Sequence, residues 1–151
     1  MAQTATKTGW DDDRVDEMVE AILGAARTVD RLSEQALRET GAGVTTAQFR
    51  MLAVLAERGP SSVAALAGQL DVNRSTALRM VERLVALGMV SREDNPRNGR
   101  EVVVKPTRAG SALLKKVATR RRRAVGSLLH SLPAELDRKH VHALTAVANG
   151  T

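Results

Sequence analysis

The stretch SVAALAGQLDVNRSTALRMVERLVALG, residues 62 to 88, decides the fold. Its first third spaces Val63, Leu66, Ala67 and Leu70 at three- and four-residue steps, the period of a single buried helix face, with Ser61 or Ser62 placed to cap it. Asp71-Val72 then makes a tight turn, and Asn73 caps a second helix. In that helix Ala77, Met80, Val81 and Leu84 fall within about a third of the wheel, while Ser75, Arg79, Glu82 and Ala86 fall opposite. The second helix therefore has a packed side and a presented side, and Gly88 ends it.

Downstream, Met89 to Arg92 and Glu101 to Lys105 are two short Val-rich runs joined by the turn-forming EDNPRNGR, which predicts a hairpin with a basic tip. Upstream, Thr46 to Arg58 keeps Phe49, Leu52, Ala53 and Leu55 or Ala56 on one face and stops at Gly59-Pro60. A short helix, a tight turn, a helix with a polar leading turn and a hairpin together form a winged helix-turn-helix. Its second helix enters the major groove with its first residues at the base edges, and the wing reaches backbone or an adjacent minor groove. Asn73, Arg74, Ser75, Thr76, Leu78, Arg79 and Arg83 form the candidate reading face, and Arg92, Arg97, Asn98 and Arg100 the candidate wing contacts. The bland alternatives are a solvated helix face and a soluble loop, but the neighbouring elements agree on duplex DNA. Arg83 can equally pair with a nearby carboxylate. Leu78 meets either a thymine methyl or neighbouring apolar surface.

Both ends of the chain read as helices. Val15, Met18, Val19, Ile22, Ala26, Val29 and Leu32 carry an apolar stripe from Asp11 to Glu39, with Asp11, Asp12 and Asp13 at the positive end of the helix dipole. Thr107 caps a helix from Arg108 to about His130, which Gly110 and Gly126 weaken. Pro133 suits the first position of a last helix carrying Leu136, Val141, Leu144 and Val147 or Ala148, and Asn149-Gly150 ends it. Such stripes leave apolar surface that a 151-residue monomer struggles to cover, which predicts a homodimer. Two reading helices would then meet half-sites about 34 to 36 Å apart. The expected organisation is a flexible tail at 1–10, an N-terminal dimerisation helix at 11–44, the DNA-binding domain at 45–107 and C-terminal dimerisation helices at 108–151. The fold class is mainly α with a small β-hairpin wing.

Charge locates the working part. The net +6 is unevenly spread: residues 1 to 59 carry 7 basic and 10 acidic groups, residues 60 to 123 carry 14 and 5, and the remainder 2 and 2. A basic centre is the footprint of a polyphosphate partner. Trp10 and Phe49 are the only aromatic residues, which excludes modules that stack bases on several rings. With no cysteine, disulfides and thiolate metal sites are excluded by inventory. His130, His140 and His142 could suggest a metal, but His140 and His142 lie two apart, about 200° around a helix, and cannot chelate one ion from the same face, and no cysteine assists, so no metal or cofactor is expected. No catalytic constellation is visible, so the chain does not read as an enzyme. No apolar run or leader suggests a membrane, and a cytoplasmic place is expected. The run Arg120 to Arg123 covers too much of a helix to face one ligand; it is expected to leave a solvated face and to pair with the acidic start of the first helix, with direct DNA contact as the weaker alternative.

The segment PSSVAALAGQLDVNRSTALRMVERLVALGMVSREDNPRNGREVVVKPTRAGSALL resembles the MarR family of bacterial transcriptional regulators, and TTAQFRMLAVLAERG resembles the family's helix before the reading head. The resemblance covers nearly all of residues 11 to 149. It implies a symmetric homodimer on a pseudo-palindromic operator, usually a repressor, often released by a small aromatic or phenolic ligand in a cleft between dimer helices and reading head. Aliphatics and methionines such as Met18 or Met51 would line that cleft. Three positions depart from the family pattern: Asp71 stands where glycine is common, Asn98-Gly99-Arg100 where the wing often reads Asp-Arg-Arg, and Leu78 where a small polar residue is common. A winged-helix protein-interaction module and a sequence-indifferent architectural protein are the rival readings.

Overall fold

The computed structural model describes residues 11–95, 98–132 and 138–150. The expected tail at 1–10, Arg97, Pro133, Leu136 and the side chain of Arg100 lie outside the described residues. The chain runs α1 (Asp12–Arg38), α2 (Thr46–Arg58), α3 (Val63–Leu70), α4 (Arg74–Ala86), β1 (Val90–Asn95), β2 (Asn98–Pro106), α5 (Arg108–Ser131) and α6 (Arg138–Asn149).

Helix starts follow local chemistry. Asp11, Thr45, Ser62, Asn73 and Thr107 each accept a backbone N–H of the first turn through the side chain, and Thr45 with Gln48 makes a reciprocal capping box. Of the two serines before α3, Ser62 is the cap. Ser61 instead bonds in both directions to Val104, adding a one-residue third strand to the β1–β2 hairpin. Asp71 takes the left-handed conformation, φ 53° and ψ 49°, and its N–H and that of Val72 close the last turn of α3.

The core gathers Met51, Leu52 and Leu55 of α2, Leu66 and Leu70 of α3, Ala77, Val81 and Leu84 of α4, Val90 and Val104 of the wing, and Leu113 and Val117 of α5. Met51 is thus core rather than cleft lining; the three-residue step to Val54 and four-residue step to Leu55 carry it inward with them. α1 contributes Ala36 and Leu37 alone to this core, and residues 11 to 21 are exposed without exception.

The hairpin is longer than its apolar residues indicate. β1 continues through Glu93 and Asp94 to Asn95, and β2 begins at Asn98, in a register that pairs Val90 with Pro106 and Asp94 with Val102. Strand pairing rests on backbone hydrogen bonds, which a projecting wing extends through polar residues without an apolar face to mark them.

The arginine run requires a correction. Arg120 Nη1 lies 2.9 Å from Glu39 Oε2, at the end of α1 rather than its acidic start. Among the described residues no ion pair joins Arg120, Arg121, Arg122 or Arg123 to Asp11, Asp12, Asp13, Glu17 or Glu20. The reason is that α1 meets α5 through its C-terminal end, where Ala36 and Leu37 are buried, so its first turns are out of reach.

Candidate nucleic-acid interface

α4 separates its two faces cleanly. Ala77, Val81 and Leu84 have no exposed surface, whereas Asn73, Arg74, Ser75, Leu78, Arg79 and Arg83 are exposed and Thr76 is half-buried. The buried three lock the helix against α3 and the wing, so the leading turn is held in place from behind. Asn73 Oδ1 accepts both the N–H of Thr76, at 2.8 Å, and the hydroxyl of Ser75, at 2.7 Å. Arg79 Nη2 donates to Thr76 Oγ1 at 3.3 Å. These side-chain bonds are invisible to periodicity, though the presence of Ser, Thr and Asn in one helix turn is the signal that could have raised them.

Among the described residues, Arg74, Arg79, Arg83 and Arg92 take part in no ion pair, so the carboxylate partner open to Arg83 is not found. Four guanidiniums without counter-charges create a positive field, and the N-terminal end of α4 adds the helix dipole. Leu78 keeps 39% of its surface exposed, so part of it reaches the presented side of the helix.

The wing carries Arg92 on β1, opposite Val104, and Asn98 at the start of β2, exposed and paired in register with Asn95 across a bulge. Lys105 Nζ neutralises Glu93 Oε1 at 2.6 Å, removing one carboxylate from the wing's charge. The wing's base is fixed to α5: Thr107 Oγ1 donates to the Gly88 carbonyl at 2.6 Å while accepting from the N–H of Gly110. Hairpin and reading helix therefore share one support.

Two other features bear on function. A cleft of about 260 Å³ opens between α1 and α2, lined by Asp30, Ser33, Glu34, Leu37, Thr46 and Phe49. Apolar side chains also remain exposed on three helices: Val15, Met18, Val19 and Leu23 of α1, Leu128, Leu129 and Leu132 at the end of α5, and Val141, Leu144 and Val147 of α6. Among the described residues there is no group of three or more metal-ligating side chains, and no helix is long and apolar enough to cross a membrane.

A reading helix braced from behind, preceded by a short helix and followed by a basic hairpin, defines a winged helix-turn-helix DNA-binding protein. Residues 44–102 match the family model described as the MarR family. A helix-turn-helix-type transcriptional regulator of Mycobacterium tuberculosis is 34% identical over 122 residues, 80% of this chain and 82% of that protein. The transcriptional repressor NicR of Pseudomonas putida is 39% identical over 71 residues; the match takes 47% of this chain and 45% of NicR, so the chain spans less than half of that relative. The crystal structure of RV1404 from M. tuberculosis agrees with a TM-score of 0.79 at 29% identity, covering 93% of this chain and 95% of the other. The chain belongs to the MarR family of winged-helix transcriptional regulators. The relatives it matches are named as regulators of transcription, not as enzymes.

Proposed function

We propose that the protein is a homodimeric repressor that reads a pseudo-palindromic operator through α4 and the wing and is released by a small effector. The observation that carries this reading is the division of α4: three wholly buried residues behind, and Arg74, Ser75, Leu78 and Arg79 exposed in front. Asn73, Thr76 and Arg83 complete the reading face, and Arg92, Arg97, Asn98 and Arg100 contact backbone or minor groove.

The dimer forms through residues 11–44 and 108–151, with 45–107 as the DNA-binding unit and 1–10 as a tail. Support for it comes from the exposed apolar side chains of α1, α5 and α6, more than a lone subunit in water ordinarily leaves uncovered. The effector site is the cleft between α1 and α2. Its 260 Å³ falls just below the usual range for drug-sized ligands and suits a single-ring compound lying on Phe49 and Leu37. A regulator of this kind works in the cytoplasm with its DNA.

The test is footprinting on DNA upstream of the protein's own gene, repeated with phenolic compounds and at rising salt. A protected inverted repeat that clears with ligand supports the full reading. Affinity that falls steeply with salt is required of a protein with many phosphate contacts. Equal affinity for operator and random duplex would make the protein architectural, and failure to bind any duplex would make it a protein-interaction module.

A further inference from the structure

The hydrogen bonds of the leading turn of α4 give each polar group a fixed role toward the groove. The N–H of Thr76 can only donate, so the side-chain atom of Asn73 that meets it is the amide oxygen. Ser75 Oγ lies 2.7 Å from that same oxygen, which can only accept. The single hydroxyl proton of Ser75 is therefore committed to Asn73, and Ser75 offers the groove lone pairs alone. A phosphate oxygen also offers lone pairs alone, so the two repel. What Ser75 can meet is an amino group on a base edge, adenine N6 or cytosine N4. Asn73 is the converse: its oxygen is spent on two donors, which leaves its amide nitrogen as a donor only.

Leu78 lies three residues beyond Ser75 and so shares its side of the helix, and it is exposed there. An A·T pair presents an adenine amino group and a thymine methyl together in the major groove, whereas a C·G pair has an amino group and no methyl. We infer that Ser75 and Leu78 read one A·T pair in each half-site, Ser75 accepting from adenine N6 and Leu78 packing on the thymine methyl. The inference rests on the proposed role of α4. It makes Ser75 a specificity determinant with no part in phosphate binding, and it gives Leu78 a defined task.

The experiment uses the whole chain and the footprinted duplex, with each operator adenine replaced in turn by 2′-deoxynebularine, which lacks the 6-amino group, and each thymine by deoxyuridine, which lacks the methyl. At one pair per half-site, nebularine should weaken wild-type binding more than Ser75→Ala binding, by roughly 2- to 13-fold, the worth of a single neutral hydrogen bond. The ratio to Ser75→Ala cancels the weaker base pairing of the analogue. Deoxyuridine in the same pair should weaken the wild type but not Leu78→Ala. Both side chains are exposed and the Asn73 cap is retained, so unchanged melting temperatures verify folding. Equal loss of affinity for operator and random duplex in Ser75→Ala would identify a phosphate contact and overturn the inference. So would amino and methyl sensitivity at different pairs, or none at all. Absence of duplex binding by the unaltered protein is a separate failure, that of the reading helix itself.

Discussion

Gly110, in the first turn of α5, presses so closely on the main chain of Met89 that a β-carbon there would overlap the Met89 carbonyl oxygen and lie 3.2 Å from Leu52 Cδ2. That carbonyl is already held by the N–H of Thr107 at 3.0 Å, and backbone cannot move aside as a flexible side chain could. Gly110→Ala should therefore destabilise the fold by about 1–3 kcal/mol, as overpacking a dense core does. Gly126 has nothing within 4 Å of a β-carbon position. Gly126→Ala should be neutral or stabilise by up to about 1 kcal/mol through helix propensity. Urea unfolding of the two variants side by side tests the contrast.

The two glycines also mark how far the sequence could be read. Both weaken a helical pattern equally on paper, and spacing alone cannot tell which one another segment approaches. Elements with an apolar stripe were legible: α4 shows its buried Ala77, Val81 and Leu84 by periodicity, and its Asn73 cap by chemistry. The full wing was not, because Glu93, Asp94 and Asn95 join a strand through backbone bonds that polar side chains do not announce. The partner of Arg120 was misread for a related reason. Charge complementarity favoured the acidic start of α1, but contact is decided by where the helices cross, near Leu37 and Val117.

Removing the guanidinium of Arg79 or Arg74 should reveal which arginine reads bases. A base-reading arginine gives about 1–3 kcal/mol of discrimination, whereas a phosphate-bound one weakens binding to every sequence alike and lowers the salt slope by about one. Arg79 is steadied by Thr76, which fits a base reader held in one pose. Arg79→Ala should thus lower the ratio of operator to scrambled-duplex affinity, and Arg74→Ala should lower both affinities together. Fluorescence anisotropy on the two duplexes separates the cases, and no effect of either variant on either duplex would show that α4 does not read DNA.

A charge placed among the exposed apolar side chains of α5 should split the proposed dimer. Leu129, half exposed in the single subunit, becomes buried if two copies pair through α1, α5 and α6. An unpaired buried carboxylate is costly enough that Leu129→Glu should shift the protein to monomer at micromolar concentration, read by sedimentation. Operator affinity should fall with it, since one reading helix meets one half-site. A variant that sediments as the wild type does would place the interface elsewhere.

Glu39 ties the end of α1 to α5 and gives the fold a pH dependence of known sign. Its carboxylate accepts from Gln35 Nε2 at 2.9 Å, which chiefly lowers its pKa from the ordinary value; desolvation opposes this, and Arg120 adds a smaller lowering. A native pKa below the unfolded one means the contribution is complete above the ordinary carboxylate range and is lost as pH falls through the lowered native value. Glu39→Gln should therefore melt slightly below the wild type at neutral pH. The gap should close on acidification and shrink in high salt, because the pair is exposed. A gap that persists below the titration range would assign the effect to packing instead.

Asp71 combines strain with charge, and two substitutions separate them. It is the one non-glycine residue with positive φ among the described residues, in a conformation where a β-carbon crowds the backbone. Asp71→Gly removes that crowding and should stabilise the protein by about 0.5–1 kcal/mol, net of glycine's greater freedom when unfolded. Asp71→Asn keeps a side chain that tolerates the left-handed region and should leave stability nearly unchanged. Either change removes an exposed carboxylate two residues before Asn73, which would face a phosphate backbone if α4 reads DNA as proposed. Both variants should therefore bind duplex more tightly at low salt, and equally so, with the gain fading as salt rises. If only Asp71→Gly gains affinity, the turn's strain governs how the reading helix is presented; if neither does, position 71 faces away from DNA.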